Sequence, residues 1–152
     1  MSKSTIFITG ATGFIGAQVT LSALRAGYNV KLSVRRSSQI PLLREAFSAF
    51  PSSLEFVEVP DYTKPEAFDT ALQGVDYVIH VASPLPNGNE DLLTPAVKGT
   101  TSVLEAALKV QSIKKVVVTA SVASLVPLDR YVDGTVVTGK SCLLYTSDAA
   151  DE

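Results

Sequence analysis

Residues 5–16 read TIFITGATGFIG. The first five are short, branched and apolar and stop at a glycine, the signature of a strand covered on both faces in a parallel sheet. The segment that follows, FIGAQVTLSALRAG (14–27), spaces Ile15, Val19 and Ala23 four apart with Leu24 beside them. That spacing predicts a helical face, and Gly27 predicts its C-cap. Glycines stand at 10, 13 and 16, a G-x-x-G-x-x-G spacing that differs from G-x-G-x-x-G and needs its own justification. Gly10 lets the chain turn off the strand, Gly13 lets backbone approach a pyrophosphate at the helix N-terminus, and Gly16 permits close packing of helix on sheet. Main-chain N–H groups and the helix dipole hold such an anion without a lysine. A mere tight turn also accounts for the glycines, but the strand before them and the helix after them, in one βαβ unit, favour nucleotide binding.

Outward from this unit the chain keeps alternating. NVKLSVR (29–35) reads as a second strand, LLREAFSAF (42–50) as a helix stopped by Pro51, and LEFVEV (54–59) as a third strand. PEAFDTALQG (65–74) predicts a short helix with Pro in its first turn and Gly after its last. VDYVIHVAS (75–83) is a near-continuous apolar run, TPAVKGTTSVLEAALKV (94–110) a long helix, and KKVVVTA (114–120) a fifth buried strand. Strand and helix joined by short connections imply right-handed crossovers, hence a doubly wound parallel α/β sheet of about five strands.

The 152 residues, 46% hydrophobic and 18% charged, fit one ordinary globular domain. No apolar run approaches the ~20 residues of a membrane span, and the N-terminus lacks a signal-peptide layout, so cytoplasmic location is expected. Thirteen basic residues against fifteen acidic, with no basic stripe, give no reason to expect a nucleic-acid partner. A single cysteine, Cys142, excludes an internal disulfide framework. No metal cluster is read, and oligomeric state is left open.

The end of the second strand bears on the cofactor. An NAD-binding domain places an Asp or Glu about 20 residues past the glycines, on the ribose hydroxyls. Here stand Arg35, Arg36, Ser37 and Ser38, with no carboxylate until Glu45. Guanidinium suits a 2′-phosphate, so NADP is expected over NAD, with Arg35 as the reader and a solvated basic turn as the bland alternative. Arg36 would face the other side of an extended chain. Asp61 and Tyr62 end the third strand, where a carboxylate accepts from adenine or simply closes an Asx-turn. His80, the only histidine, lies within an apolar strand and is read as a packed, neutral core residue.

With TGATGFIG, Arg35, Asp61, VIHVASP, AVKGT and VVVTASVAS together, the chain resembles the extended short-chain dehydrogenase/reductase superfamily, also described as NAD-dependent epimerase/dehydratases, over roughly residues 4–141. Within that superfamily it is most similar to the group of dihydroflavonol reductases, cinnamoyl-CoA reductases and fungal aldehyde/ketone reductases. The resemblance implies a Rossmann fold and NADPH-dependent reduction of a small-molecule aldehyde or ketone. It implies a pyrophosphate loop at Gly10, Gly13, Phe14, Ile15 and Gly16, a 2′-phosphate reader at Arg35, and an adenine contact at Asp61 with Tyr62. It further implies main chain beside the ribose and pyrophosphate at Val81, Ala82 and Ser83, a strand end near the nicotinamide at Thr119, and the catalytic serine at Ser121. An NAD-dependent nucleotide-sugar epimerase or dehydratase, or a non-catalytic dinucleotide sensor, shares the scaffold; Arg35 counts against the first and Ser121 against the second.

The chain departs from that family at one motif. The proton donor is the tyrosine of Tyr-x-x-x-Lys, but the fourth residue after each tyrosine here is Leu32, Glu66, Val81, Thr135 or Ala149. The expected reading is a Rossmann portion, 1–141, truncated before the tyrosine helix and substrate domain and inactive by itself. CLLYTSDAADE (142–152) resembles the in-frame translation of a transposase mosaic-end adapter from sequencing libraries, and is expected to be non-native. GTVVTGKS (134–141) satisfies the phosphate-loop pattern G-x-x-x-x-G-K-[ST]. It fails on context, because it follows a polar loop and its variable positions are branched residues that favour extended backbone.

Overall fold

The computed structural model describes residues 3–84 and 91–121. The chain divides into two compact units, Met1–Val118 and Thr119–Glu152. GTVVTGKS and the adapter-like tail lie outside the described residues.

The first unit alternates as its sequence predicts: β1 (Thr5–Thr9), α1 (Phe14–Arg25), β2 (Asn29–Val34), α2 (Ile40–Ala46), β3 (Leu54–Glu58), β4 (Tyr77–His80), α3 (Leu93–Leu108) and β5 (Lys115–Val118). The strands form one sheet in the order β3-β2-β1-β4-β5. Every pairing in it is parallel. The chain therefore starts mid-sheet, winds outward through β2 and β3, and returns to the other side of β1 for β4 and β5. Connections to the two sides leave the C-terminal ends of β1 and β4 in opposite directions, which opens a crevice between them.

Alternation along β1 divides the core between the faces. Ile6 and Ile8 pack with Ala23, Leu24, Leu43 and Phe47 from α1 and from α2 and its exit. Phe7 points the other way, to Phe68, Leu72, Val103 and Ala106. Phe7 and Phe68 meet edge to face with ring centroids 6.0 Å apart, and each buried ring contributes about 2–3 kcal/mol. α1 closes with a Schellman motif, in which Tyr28 N–H donates to Ala23 O and Gly27 N–H to Leu24 O.

Four local expectations are corrected. The fifth strand is not buried: β5 stands at the edge of the sheet, with Val117 and Val118 exposed. The buried face of α1 is Gly16, Thr20, Ala23 and Leu24, with Val19 partly buried against the same core, and Ile15 is not on it. Ile15 is exposed, because the helix sits closest to the sheet where it has no side chain, at Gly16. The helix predicted over 42–50 begins instead at Ile40, with Pro41 in its first turn, and ends at Ala46. PEAFDTALQG forms consecutive turns and no helix. Glu66, directly after Pro65, has φ +63°, which breaks a right-handed ladder at its start. Hydrogen bonds there mostly span three residues, as from Asp69 N–H to Glu66 O and Val75 N–H to Leu72 O. Phe68, Ala71, Leu72 and Val75 are nonetheless buried, so the apolar spacing marked the right face of the wrong element.

The sheet edge opposite the crevice carries a polar tie. Asp76 accepts from Lys114 Nζ at 2.9 Å and from the Thr5 N–H at 2.9 Å, joining the starts of β1, β4 and β5. The Lys114 ammonium first, and the Thr5 amide second, hold the Asp76 carboxyl below its ordinary 3.8. A depressed carboxyl stabilises the fold above the unfolded-state pKa and loses that contribution as pH falls through the folded one. Asp76→Asn is therefore expected to lower the melting temperature at neutral pH, with the difference from wild type shrinking below about pH 4. Melting curves that stay equally separated at pH 7 and pH 2.5 would contradict this. Among the described residues no helix is long and apolar enough to cross a membrane.

Candidate cofactor site

At the crevice the glycine loop is built from close backbone contacts. Gly10 leaves β1 with φ +77°, and a Cβ there would lie 2.8 Å from Ala82 N. A Cβ on Gly16 would lie 2.0 Å from Gly10 O, so α1 can approach β1 this closely only at a glycine. Gly13 is the N-cap of α1, and no side chain caps the helix. The first-turn N–H groups thus have no intrahelical acceptor and present a partial positive charge. Phe14 and Ile15 flank them as exposed apolar side chains. Uncapped donors at a 12-residue helix, with a glycine at their mouth, fit the pyrophosphate expected there.

Behind the loop lies a residue that the sequence did not single out. Thr9 is fully buried at the end of β1. Its hydroxyl oxygen accepts from the Val81 and Ala82 N–H groups, both at 3.1 Å. With both lone pairs engaged, the hydroxyl proton can go only to His80 Nδ1, 2.9 Å away. Nδ1 must then be unprotonated, which places the ring proton on Nε2. Burial lowers the His80 pKa and keeps the ring neutral. The one available signal was a polar residue closing an apolar strand just before the turn.

The remaining predicted residues of this unit gather at a cleft of about 250 Å³ between the ends of β2, β3 and β4 and the start of α3. Arg35, Asp61, Tyr62, Ala82 and Ser83 line it, joined by His80, Thr63 and Gly99. Val81 enters through its bond to Thr9. Asp61 forms the Asx-turn: its Oδ1 accepts from the Thr63 hydroxyl at 2.7 Å and the Thr63 N–H at 2.9 Å. Those two bonds, the hydroxyl first, lower its pKa and keep it a carboxylate.

Arg35 is exposed and makes no salt bridge among the described residues. Its guanidinium carbon lies 5.9 Å from the centroid of the Tyr62 ring. The backbone around it is fixed by Gln39, whose Oε1 accepts from the Arg35 and Arg36 N–H groups at 3.1 and 3.2 Å. Thr119 and Ser121 belong to the second compact unit, which begins directly after β5. No metal-binding group of three His, Cys, Asp or Glu exists among the described residues.

The sequence pattern of the NAD dependent epimerase/dehydratase family matches residues 6–136. A ketoreductase of Aspergillus fumigatus is 48% identical over 139 residues, which cover 90% of this chain and 41% of the relative. Aldehyde reductase 2 of Sporidiobolus salmonicolor is 34% identical over 151 residues, covering 97% of this chain and 44% of the relative. Among solved structures, the NADPH complex of Gre2 from Candida albicans superposes with a TM-score of 0.78 at 34% identity, covering 86% of this chain and 40% of that one. The chain thus spans about two fifths of the length of these relatives.

Proposed function

The chain belongs to the NAD dependent epimerase/dehydratase family, and from that premise we propose that it is the dinucleotide-binding portion of an NADP-dependent reductase of aldehydes or ketones. The observation that carries the reading is Arg35: an exposed guanidinium that makes no salt bridge among the described residues, at the strand end where an NAD-binding domain keeps an acid. The likeness to a ketoreductase and an aldehyde reductase supports carbonyl reduction as the reaction class. An epimerase using NAD fits less well, because nothing beside Arg35 in the β2 turn offers the ribose hydroxyls a carboxylate.

NADPH bound here would supply a hydride to the carbonyl carbon. The protein's part begins with holding it: first-turn amides of α1 for the pyrophosphate, Arg35 for the 2′-phosphate, and the 81–83 segment beside the ribose. Ser121 would donate a hydrogen bond to the carbonyl oxygen as negative charge grows there, a contribution made chiefly in the transition state. Residues 1–141 are proposed as the native part of the sequence, with 142–152 adapter-derived, and the cytoplasm as the site of action.

Titrating the chain with NADPH and NADH, read by nicotinamide fluorescence, tests the cofactor assignment. NADPH is expected to bind about ten- to a hundredfold tighter, the range of one to two charge-assisted hydrogen bonds. Equal affinities, or tighter NADH, would overturn it.

A further inference from the structure

Tyr62 stands in the cleft as an aromatic ring held at two points. At its tip, the phenol hydroxyl hydrogen-bonds Ser33 Oγ, and Ser33 is itself buried in β2, with its Oγ 3.5 Å from Ile8 O. The Tyr62 ring packs against Phe68, centroids 4.9 Å apart, and Phe68 is fully buried. Near the Tyr62 Cβ, α3 presents Gly99, where an added Cβ would come within 3.7 Å. Anchored in this way, the ring cannot swing out of the cleft without breaking a partly buried hydrogen bond. The Arg35 guanidinium lies 5.9 Å from its centroid, within cation–π range. A long, solvated arginine is otherwise rotamer-rich, and ordering such a side chain on binding costs about 0.5–1.5 kcal/mol.

We propose that Tyr62 is a specificity-determining positioning residue: a fixed aromatic shelf that holds Arg35 at the cleft mouth for a 2′-phosphate. This rests on the NADP reading above, and it gives Tyr62 a different task from the adenine contact that the family resemblance implies. The two roles separate cleanly, because adenine is common to NADPH and NADH whereas the 2′-phosphate is not. Burial raises the Tyr62 pKa, so the phenol stays protonated and bonded to Ser33 throughout the neutral range.

The experiment compares Kd for NADPH, NADH, 2′,5′-ADP and 5′-AMP in wild type, Tyr62→Leu and Tyr62→Phe. In Tyr62→Leu, NADPH and 2′,5′-ADP should each weaken about two- to fivefold, the size of an exposed cation–π contact, with NADH and 5′-AMP unchanged. Tyr62→Phe keeps the ring and should stay within about twofold of wild type for all four ligands. If Tyr62→Leu does not fold, Tyr62→Met fills the volume without a ring and carries the same expectation. Equal losses for the phosphorylated and unphosphorylated ligands would show adenine stacking and overturn the proposal, as would no loss at all. A wild type without NADPH preference would remove both this proposal and the cofactor reading. A wild-type preference that Tyr62→Leu leaves intact removes this one alone.

Discussion

Gly16→Ala is expected to cost about 3 kcal/mol or more of stability and to abolish dinucleotide binding. Helix propensity points the other way, since alanine is about 1 kcal/mol better than glycine in a helix interior. Contact geometry decides the sign. The new Cβ would lie 2.0 Å from Gly10 O, 2.5 Å from Gly10 C and 3.0 Å from Ala11 Cα, all of them backbone atoms. No side chain can rotate away, so either α1 backs off from β1 or the turn between them deforms. Either movement displaces the first-turn amides of α1 from the mouth of the loop. Gly99→Ala is the matched control: it also sits within a helix, but its Cβ would meet only the Tyr62 Cβ at an ordinary 3.7 Å. Thermal melts of both variants compare the two contacts, and an NADPH titration of Gly16→Ala reads the effect on binding. A Gly16→Ala protein that melts within a degree or two of wild type and binds NADPH normally would refute the packing argument.

Arg35→Ala should lower NADPH affinity about ten- to a hundredfold while leaving NADH affinity unchanged. The guanidinium is exposed, so its removal leaves no buried group unpaired, and folding should be little affected. The loss should also diminish with added salt, because an exposed charge pair is screened. Arg36→Ala is the comparison: the Arg36 main chain is held by Gln39, and its side chain does not line the cleft. Equal losses for NADPH and NADH in Arg35→Ala would mean that it contacts a part common to both cofactors, and the NADP assignment would fail.

Element type and strand sequence were legible because the buried strands are apolar runs and the glycines punctuate them. Arg35 could be placed because parallel α/β sheets put their sites at the C-terminal strand ends. What stayed hidden depended on tertiary contacts. Residues 65–74 keep helical apolar spacing yet turn, since Glu66 adopts a left-handed backbone that composition does not announce. The α1 face was misjudged because apolar Ile15 outweighs a glycine in any periodicity count, although Gly16 makes the closest approach. Thr9 was invisible for a different reason: its partners His80, Val81 and Ala82 lie 71 to 73 residues away in sequence. The Tyr62–Ser33 bond, spanning 29 residues, is of the same kind.

The Thr9 hydroxyl has a consequence for the direction in which a ligand can lie. Because it engages the N–H groups of both Val81 and Ala82, those two residues can accept hydrogen bonds from a bound molecule but not donate them. The uncapped amides of α1 do the opposite, donating without accepting. The crevice therefore has polarity along its length, with an anion favoured at the α1 end and hydroxyl donors at the exit of β4. A dinucleotide laid in backwards would bring its phosphates to a segment whose N–H groups the buried Thr9 hydroxyl already occupies.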